Sequence, residues 1–351
     1  MKRKVNVLIT ALGGGSHGLQ ILKALRLGQL DYRIVGANVT ARCAGRAMAD
    51  HFELLPPAGA PDYLDRLQRV IEQHDIRALF HGCEQEMEVF SRHREAIEAM
   101  GVYVPVNPPE VIRICRDKAA TNEFLAQKGF PSPRFASIER IEDAEAVDFL
   151  PVVLKPVTGG GSAHVYIAQT RSELEMFAGY LLGFCPRILA QEYMGTPEAE
   201  FTVGVLFGRD GTLLNSIAVR RIVQEALSTR LRLPNRTGRA ELGDQLVISS
   251  GISQGVVDKF PEVTEACERM AAHLGAQAPV NVQCRLVDGA VMVFEINPRF
   301  SGTTSLRAMV GYNEPDVLIR RDVFGEDIVP NFPFSSGTIL RSLRETLISK
   351  T

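Results

Sequence analysis

The sequence has no excess of charge of either sign, no paired cysteines and no long apolar run. Its 39 lysines and arginines nearly balance 41 aspartates and glutamates, so no overall basic field exists to collect nucleic acid or acidic lipid. The six cysteines are scattered without a C-x-x-C pair, which argues against a zinc knuckle and a disulfide framework and favours a reducing cytosol. No stretch approaches the roughly 18 apolar residues of a membrane helix.

The amino-terminal run is also short, because its apolar residues stop at Leu12 and glycines follow. We therefore expect a cytoplasmic protein, neither exported nor embedded in a membrane. The length of 351 residues predicts two to three domains at roughly 150 residues each. A hydrophobic content of 45% and a charged content of 23% are typical of a globular chain with a sizeable core.

The first hundred residues alternate between strand and helix patterns. Strands are predicted at residues 5–10, 33–38, 78–81 and 102–106, and helices at 17–27, 63–74 and 84–100. This alternation indicates parallel pairing in an open, doubly wound sheet.

The pattern changes after the prolines at 105, 108 and 109, so a first boundary is predicted near Val111. Helices are predicted at 111–127 and 256–274, with an arginine-rich polar segment before the second. Strands are predicted at 151–155, 165–168, 188–191, 201–207, 213–220, 280–286 and 291–296. Short turns between most of these strands indicate an antiparallel, α+β texture.

A glycine turn, Gly13-Gly14-Gly15, separates the first strand from the first helix. Such a turn can hold phosphate at a helix start, and Gly13, Gly15 and Gly18 match the dinucleotide spacing. An acidic residue is missing from the end of the next strand, however, which reads Ala37-Asn38. A tight turn under the sheet is therefore favoured over dinucleotide binding.

A second candidate is a lysine that closes a buried strand directly before a glycine–serine loop. Lys155 can place an ammonium group against phosphate, and residues 159–162 can fold over it as a lid of amide donors. A solvated lysine before a flexible hairpin explains the same pattern equally well.

Oxygen-bearing side chains converge on two strands near the carboxyl terminus. Glu295 and Asn297 share one face of a strand, and Gln283 lies on the strand before the Asp288-Gly289 turn. Hard oxygen ligands of low total charge suit Mg²⁺ shared with substrate phosphates. Because apolar residues flank Glu295, its burial is favoured over its exposure on a surface hairpin. Arg299 adds a guanidinium beside the predicted metal.

With these motifs the sequence resembles the ATP-grasp enzymes, in their carbamoyl-phosphate-synthetase-like and carboxylate–amine ligase branch. The resemblance covers nearly the whole chain. Its marks are Asp117-Lys118, the strand and lid at 152–165, Gln191-Glu192-Tyr193 followed by Gly195 and Glu200, Asn281-Val282-Gln283, and the run from Glu295 to Thr303. It implies an α/β plus α+β architecture: a Rossmann-like pre-ATP-grasp domain at 1–110, then a two-subdomain ATP-grasp fold. The small subdomain, with the lysine strand and lid, would span 111–190, and the large subdomain, with the metal site, 191–351.

The resemblance also implies a role for each motif residue. Lys118 and Lys155 would hold the α and β phosphates of ATP, beneath a lid formed by Gly159, Gly160, Gly161 and Ser162. Gln191, Glu192 and Tyr193 would contact adenine, Glu192 through its backbone, and Glu200 would take the ribose hydroxyls. Gln283, Glu295 and Asn297 would hold Mg²⁺, with Mn²⁺ as the alternative ion. Arg299 would steady the transferred phosphoryl group, so that Arg299, Lys155 and Asn297 are the predicted catalytic residues.

The substrate residues are less constrained. The resemblance places Arg220 and Arg221 at a strand end facing the acceptor, although charged residues of this kind are more often part of a solvated loop. It places Glu86 at the cleft edge of the first domain, where a glutamate in the first turn of a helix is the plainer explanation. Ser301, Gly302 and Thr303 can bind the acyl group or simply start a helix. The lid departs from the family at Ala163-His164, where His164 either contacts phosphate or packs at the hairpin edge.

The predicted activity is that of an ADP-forming ligase that activates a carboxylate as an acyl phosphate and transfers it to an amine. The alternatives are a kinase-like enzyme that releases a carbamoyl or acyl phosphate, and a non-catalytic ATP-binding protein. Carbamoyl phosphate synthesis itself is disfavoured, since only one ATP-grasp unit and no amidotransferase are present. The expected partners are small-molecule acids and amines, not nucleic acid or membranes, and a homodimer is compatible with this reading.

Overall fold

A computed structural model describes residues 4–13, 15–343 and 345–346. Gly14, part of the predicted glycine turn, lies outside the described residues. Within those ranges, no helix combines the length and apolar character needed to span a membrane.

The first part of the chain forms a parallel four-stranded sheet with order β3-β2-β1-β4. The predicted alternation is confirmed, although β3 was not predicted. Residues 102–106 contribute only an isolated bridge between Tyr103 and Ala78, and the predicted helix at 84–100 breaks at His93. The elements are β1 (Lys4–Ile9), α1 (His17–Leu25), β2 (Asp31–Asn38), β3 (His51–Leu54), α2 (Tyr63–His74), β4 (Ala78–Phe80), α3 (Glu84–Arg92) and α4 (Arg94–Glu98).

The helix predicted at 111–127 is two helices, α5 (Pro109–Arg116) and α6 (Lys118–Gln127). Asp117 divides them because its backbone is extended and its carboxylate accepts hydrogen bonds from the N–H groups of Ala119 (2.8 Å) and Ala120 (3.1 Å). This is the preferred arrangement for an N-cap aspartate. The break places Lys118 at the first position of α6, next to the loop that follows β6.

The middle of the chain forms an antiparallel sheet with order β5-β8-β6-β7. Its elements are β5 (Phe135–Ile138), β6 (Val152–Pro156), β7 (Tyr166–Ala168), α7 (Arg171–Leu182) and β8 (Ile188–Glu192). The apolar faces of α7 and of this sheet share one core. The predicted lid is the loop between β6 and β7, so it leaves the sheet directly after Lys155.

The third sheet has order β15-β14-β9-β10-β13-β16, and a separate hairpin joins β11 to β12. The predicted helix at 256–274 is partly wrong, because residues 255–258 pair with β10 and the helix begins at Pro261. The elements are β9 (Glu200–Phe207), β10 (Leu213–Arg221), β11 (Thr229–Pro234), β12 (Gln245–Ser249), β13 (Gly255–Asp258), α8 (Pro261–His273), β14 (Val280–Val287), β15 (Ala290–Asn297), α9 (Thr304–Met309), α10 (Glu314–Leu318) and β16 (Gly337–Ile339).

The β11–β12 hairpin forms where the sequence predicted only a polar segment. It buries Leu242, Leu246 and Ile248 against Tyr193 and Ile167 of the middle sheet. The hairpin is therefore held over the region where the second and third sheets meet. The domain division at residues 110 and 190 stays a prediction.

Candidate active site

A cavity of about 350 Å³ opens where the three sheets meet. The start of α1 contributes Gly15 and His17, the middle sheet contributes Lys155 and the lid, and the third sheet contributes the ends of β14 and β15. The predicted residues that line it are Lys118, Lys155, Gly159, Gly160, Gly161, Ser162, Gln191, Glu192, Tyr193, Glu200, Gln283, Glu295, Asn297, Arg299, Ser301 and Gly302.

The strand pair β14–β15 brings together the predicted metal ligands. Gln283 lies directly opposite Glu295 in the ladder, as Asn281 lies opposite Asn297. The amide nitrogen of Asn297 donates to Oε1 of Glu295 over 2.9 Å, and its amide oxygen accepts from Nη2 of Arg299 over 3.1 Å. Period-two alternation puts Glu295 and Asn297 on one face, and the register adds Gln283.

Glu295 is held as a carboxylate. Burial pushes its pKa upward, but Lys118, Lys155, Asn297 and Arg299 together outweigh burial, and the net pKa lies below the ordinary value. The side chain therefore presents negative charge to the cavity at neutral pH.

Lys155 is buried on β6, with Nζ 2.7 Å from Oε1 of Gln191 and 3.5 Å from the carbonyl of Phe294. Nε2 of Gln191 donates in turn to Asn122 (3.0 Å), which fixes the amide orientation. Burial lowers the pKa of Lys155 to about 8, helped by Lys118 and opposed by Glu295. The ammonium group thus lacks a fully compensating partner and is suited to an added anion.

The lid contacts each neighbouring part of the cavity. Lys118 donates from Nζ to the carbonyl of Gly159 (2.9 Å), and the Ser162 hydroxyl donates to the carbonyl of Ser249 on β12 (3.0 Å). A Cβ at Gly160 would stand 3.1 Å from Oε1 of Glu84 in the first domain. Gly159 has φ of 109°, a backbone conformation that favours glycine.

Another cavity residue, Glu200, sits between two arginines. Its carboxylate lies 2.7 Å from Nη1 of Arg221 and 2.8 Å from Nη2 of Arg285, and it accepts a hydrogen bond from Ser249 (2.7 Å). Burial raises the pKa of Glu200, but the two guanidinium groups bring it below its ordinary value. The carboxylate is thereby fixed in orientation, with much of its accepting capacity already used.

Tyr193 forms an aromatic wall of the same region. Its hydroxyl accepts from the N–H of Val247 (2.8 Å), and the guanidinium of Arg285 lies 4.4 Å from the ring centre. The carboxylate of Glu192 pairs with Arg134 (2.9 Å), and the backbone N–H of Glu192 donates to the carbonyl of Arg134 (2.8 Å). This backbone N–H is therefore not free to donate a hydrogen bond to adenine.

Two sequence families match this chain. The family described as "PylC-like, N-terminal domain" matches residues 7–105, and the one described as "ATP-grasp in the biosynthetic pathway with Ter operon" matches residues 245–336. Residues 245–336 thus match an ATP-grasp family, which confirms the resemblance that the motifs carry. The fold class predicted from the sequence is confirmed as well.

Individual proteins are also similar to this chain. The carbamoyl phosphate synthase large chain of Pyrococcus furiosus is 24% identical over 310 residues, which cover 84% of this chain and 27% of that protein. The crystal structure of N5-carboxyaminoimidazole synthetase from Staphylococcus aureus complexed with ADP has a TM-score of 0.65 and 14% identity, covering 96% of this chain and 81% of that one. L-amino acid ligase from Bacillus licheniformis has a TM-score of 0.62 and 18% identity, covering 94% and 78%.

The likenesses to solved structures show the fold. The matches to the first three curated relatives span 39%, 18% and 23% of the lengths of those proteins.

The structure corrects two of the predicted substrate residues on β10. Successive side chains of a strand point to opposite faces, so Arg220 and Arg221 cannot both face the acceptor. Arg220 is exposed, with its guanidinium 5.7 Å from the ring centre of Phe260. Arg221 is buried, paired with Glu200, 3.4 Å from Oε1 of Gln283 and bonded to the carbonyl of Ser250. Neither lines the cavity.

The prediction that Glu86 faces the cleft is also wrong. It is buried within the first domain, where it accepts hydrogen bonds from Thr10 (2.6 Å) and Tyr63 (3.0 Å), and burial raises its pKa. Glu84, at the start of α3, instead reaches Arg299 (3.2 Å) and pairs with Arg116.

Only part of the hydroxyl-rich turn after Arg299 lines the cavity. Ser301 and Gly302 line the cavity, whereas Thr303 is buried and shares a 2.9 Å hydrogen bond with the Ser301 hydroxyl. His164 packs at the hairpin edge, its ring 4.9 Å from that of Phe184, and does not line the cavity. Of the two predictions for His164, the structure favours packing.

The sequence did not single out His17 and Arg285, which both line the cavity. His17 lines the cavity and its Nε2 lies 3.2 Å from Nδ1 of His81, while burial and the positive Arg299 lower the pKa of both. A three-dimensional pairing of this kind leaves no pattern in the sequence. Arg285, by contrast, lies two residues after Gln283, so strand alternation could have placed it on the same face.

Proposed function

We propose that this ATP-grasp protein is an ADP-forming ligase that activates a small carboxylic acid with ATP and joins it to an amine. The observation that carries the proposal is that Lys155, Gln283, Glu295, Asn297 and Arg299 all line one cavity. An anion-seeking lysine, a set of oxygen ligands and an arginine are the groups that phosphoryl transfer from a nucleoside triphosphate requires.

The donor set fits Mg²⁺. Gln283 and Glu295 face each other across β14 and β15, and Asn297 is hydrogen-bonded to Glu295. A buried, ionised carboxylate flanked by two amides is a hard-oxygen site of low charge, which leaves coordination positions for water and phosphate. When bound, Mg²⁺ would neutralise phosphate charge. Mn²⁺ fits the same donors.

The residues around the metal ligands would bind the nucleotide and exclude water. Lys155 and Lys118 would pair with phosphate oxygens, and Arg299 would stabilise the charge on the transferred phosphoryl group and on the acyl phosphate made from it. Gly159, Gly160, Gly161 and Ser162 would exclude the water that hydrolyses such an intermediate. Tyr193 and the strand of Gln191 and Glu192 would flank the adenine, and Glu200 would meet the ribose.

The substrates enter this proposal only by chemical class. The carboxylate of the acid attacks the γ-phosphorus, its oxygen forms the new bond to phosphorus, and ADP leaves. The amine nitrogen then attacks the acyl carbon, phosphate leaves, and the nitrogen loses a proton. Ser301 and Gly302 are the remaining predicted substrate residues on the cavity wall. The three domains at 1–110, 111–190 and 191–351, the cytoplasmic location and the homodimer stay predictions.

Two other activities compete with the ligase. A kinase would release the acyl phosphate, and a binding protein would not turn over ATP. The buried carboxylate Glu295 beside Asn297 and Arg299 favours chemistry over mere binding, because buried ionised groups of this kind cluster at catalytic sites.

The deciding experiment measures phosphate release from ATP and Mg²⁺ with pooled acids and amines. Release that needs both an acid and an amine supports the ligase. Release with acid alone identifies a kinase, and nucleotide binding without release in any pool identifies a binding protein. A thermal-shift screen of candidate acids in the presence of ATP and Mg²⁺ selects the pools.

A further inference from the structure

Three side chains with metal-binding atoms meet at the edge of the first sheet. His51 and Glu53 lie two residues apart on the edge strand β3 and so share a face, and His74 is the last residue of α2. One ligand atom from each lies within 4.8 Å of the other two. None of the three lines the cavity described above.

Glu53 is the centre of this cluster. Its Oε1 lies 2.8 Å from Nε2 of His51 and 2.8 Å from Nε2 of His74. The side chains form a gradient of exposure, from 5% at His74 through 20% at Glu53 to 42% at His51. Two ligands are thus held in place by packing, while the third leaves an open approach from solvent.

We propose that His51, Glu53 and His74 form a transition-metal site that takes Zn²⁺. Two imidazole nitrogens and one carboxylate oxygen are a donor set that zinc accepts, with solvent completing a tetrahedron. Mg²⁺ is disfavoured by the same set, because it prefers oxygen ligands in an octahedron.

The spacing requires little rearrangement. Zinc bonds of about 2.0–2.1 Å in a tetrahedron separate neighbouring ligand atoms by about 3.4 Å. Each histidine nitrogen lies 2.8 Å from Oε1 of Glu53, which is less than this ligand separation, and the two nitrogens lie no more than 4.8 Å from each other. Small rotations of the exposed His51 and of Glu53 are enough to open the cluster for an ion.

Neighbouring side chains hold the cluster in place. Nε2 of Gln73 adds a weak donor 3.4 Å from Oε1 of Glu53, and Asn6 fixes the carbonyl of His74 over 2.9 Å.

Arg33 opposes the metal. Its Nη2 lies 3.5 Å from Nδ1 of His74, so it favours the tautomer with the proton on Nε2. Zinc on Nε2 moves that proton to Nδ1, facing the guanidinium. An Arg33→Gln variant removes the charge and offers an amide oxygen to Nδ1–H, and so we expect it to bind zinc more tightly.

The test uses the full chain without an affinity tag, stripped of metal and free of nucleotide. Zinc titrations by calorimetry are combined with anomalous diffraction at the zinc edge. We expect one zinc with an anomalous peak among the three side chains, no competition from Mg²⁺, and affinity at least about tenfold weaker in Glu53→Gln and His51→Ala. Glu72→Gln, which removes an exposed carboxylate from the same helix, is the matched control and should bind as the unchanged protein does.

Other results would overturn the site. Zinc located at a cysteine or at Glu295, zinc affinity unchanged in both ligand variants, or the absence of zinc binding each contradicts the proposal. Weaker binding by Arg33→Gln contradicts the arrangement at His74. Since no readout involves turnover, the outcome is independent of the proposed ligase activity.

Discussion

Nη2 of Arg299 lies 3.2 Å from Oε1 of Glu84, and this contact joins α3 to the proposed phosphoryl-transfer site. The same oxygen faces Gly160 of the lid, and Arg116 pairs with the other carboxylate oxygen. Glu84 and Asn297 therefore both accept hydrogen bonds from Nη2 of Arg299. The orientation of this arginine depends on how α3 packs against the end of β15.

This contact predicts a role for Glu84 in turnover. We expect Glu84→Gln to lower kcat by about ten- to a hundredfold, because Arg299 loses a charged anchor, and to leave the KM for ATP nearly unchanged. Glu88→Gln is the control, since Glu88 also pairs with Arg116 but does not contact Arg299. Equal kcat values for the two variants would remove this role from Glu84.

Lys155 is expected to dominate nucleotide affinity at the phosphate end. Lys155→Met should raise the Kd for ATP at least about tenfold, as the loss of a charged hydrogen bond does. Lys128→Met, on the exposed end of α6, should not change it. Calorimetry with unchanged affinity in both variants would show that Lys155 does not meet phosphate.

The lowered pKa of Lys155 predicts a proton linkage. With a pKa of about 8 before ATP arrives, the amine is partly neutral at pH 8.5, and a bound triphosphate raises its pKa and draws a proton from solution. ATP affinity should therefore fall as pH rises through 8. Titrations at pH 8.5 in buffers of different ionisation enthalpy should show net proton uptake, which Lys155→Met abolishes. Uptake that is identical in the variant would assign the linkage to another group.

Glu295 is expected to be indispensable for turnover. Glu295→Gln keeps the shape of the side chain but removes the charge that the metal needs, so kcat should fall at least about a hundredfold with the fold intact by circular dichroism. Asp288→Asn, at the tip of the same β14–β15 hairpin, should retain activity. Near-normal turnover in Glu295→Gln would exclude it as a metal ligand.

The two neighbouring arginines of β10 should differ sharply in their effect on stability. Arg221→Met breaks a buried pair with Glu200 and should cost about 3 kcal/mol, seen as a drop of several degrees in Tm. Arg220→Met removes an exposed contact with Phe260 worth at most about 1 kcal/mol. Similar Tm values for the two variants would contradict the burial of Arg221.

What could be predicted from the sequence was local. The alternation of side chains along β15 places Glu295 and Asn297 on one face without knowledge of any partner strand. The strands before and after the lid, β6 and β7, follow from short apolar runs. The alternation of strands and helices indicated the parallel sheet, and the two-subdomain fold class was implied by the resemblance to the ATP-grasp enzymes.

What could not be predicted depends on pairing and rotation. Residues 255–258 have helix-compatible spacing but become a strand because β10 and β16 flank them. Glu84 and Glu86 lie about 200° apart around α3, so one faces Arg299 and the other the interior, and only packing decides which. The partner of Arg221 depends on the register of β10 against β9 and of β9 against β14, which no local pattern encodes.

The most direct measurement is a crystal structure with Mg²⁺ and a non-hydrolysable ATP analogue. The groups of Lys155, Gln283, Glu295, Asn297 and Arg299 are expected to surround the triphosphate and its magnesium, with Tyr193 beside the adenine. A nucleotide bound outside this cavity, or a metal without Glu295 among its ligands, would contradict the proposed site.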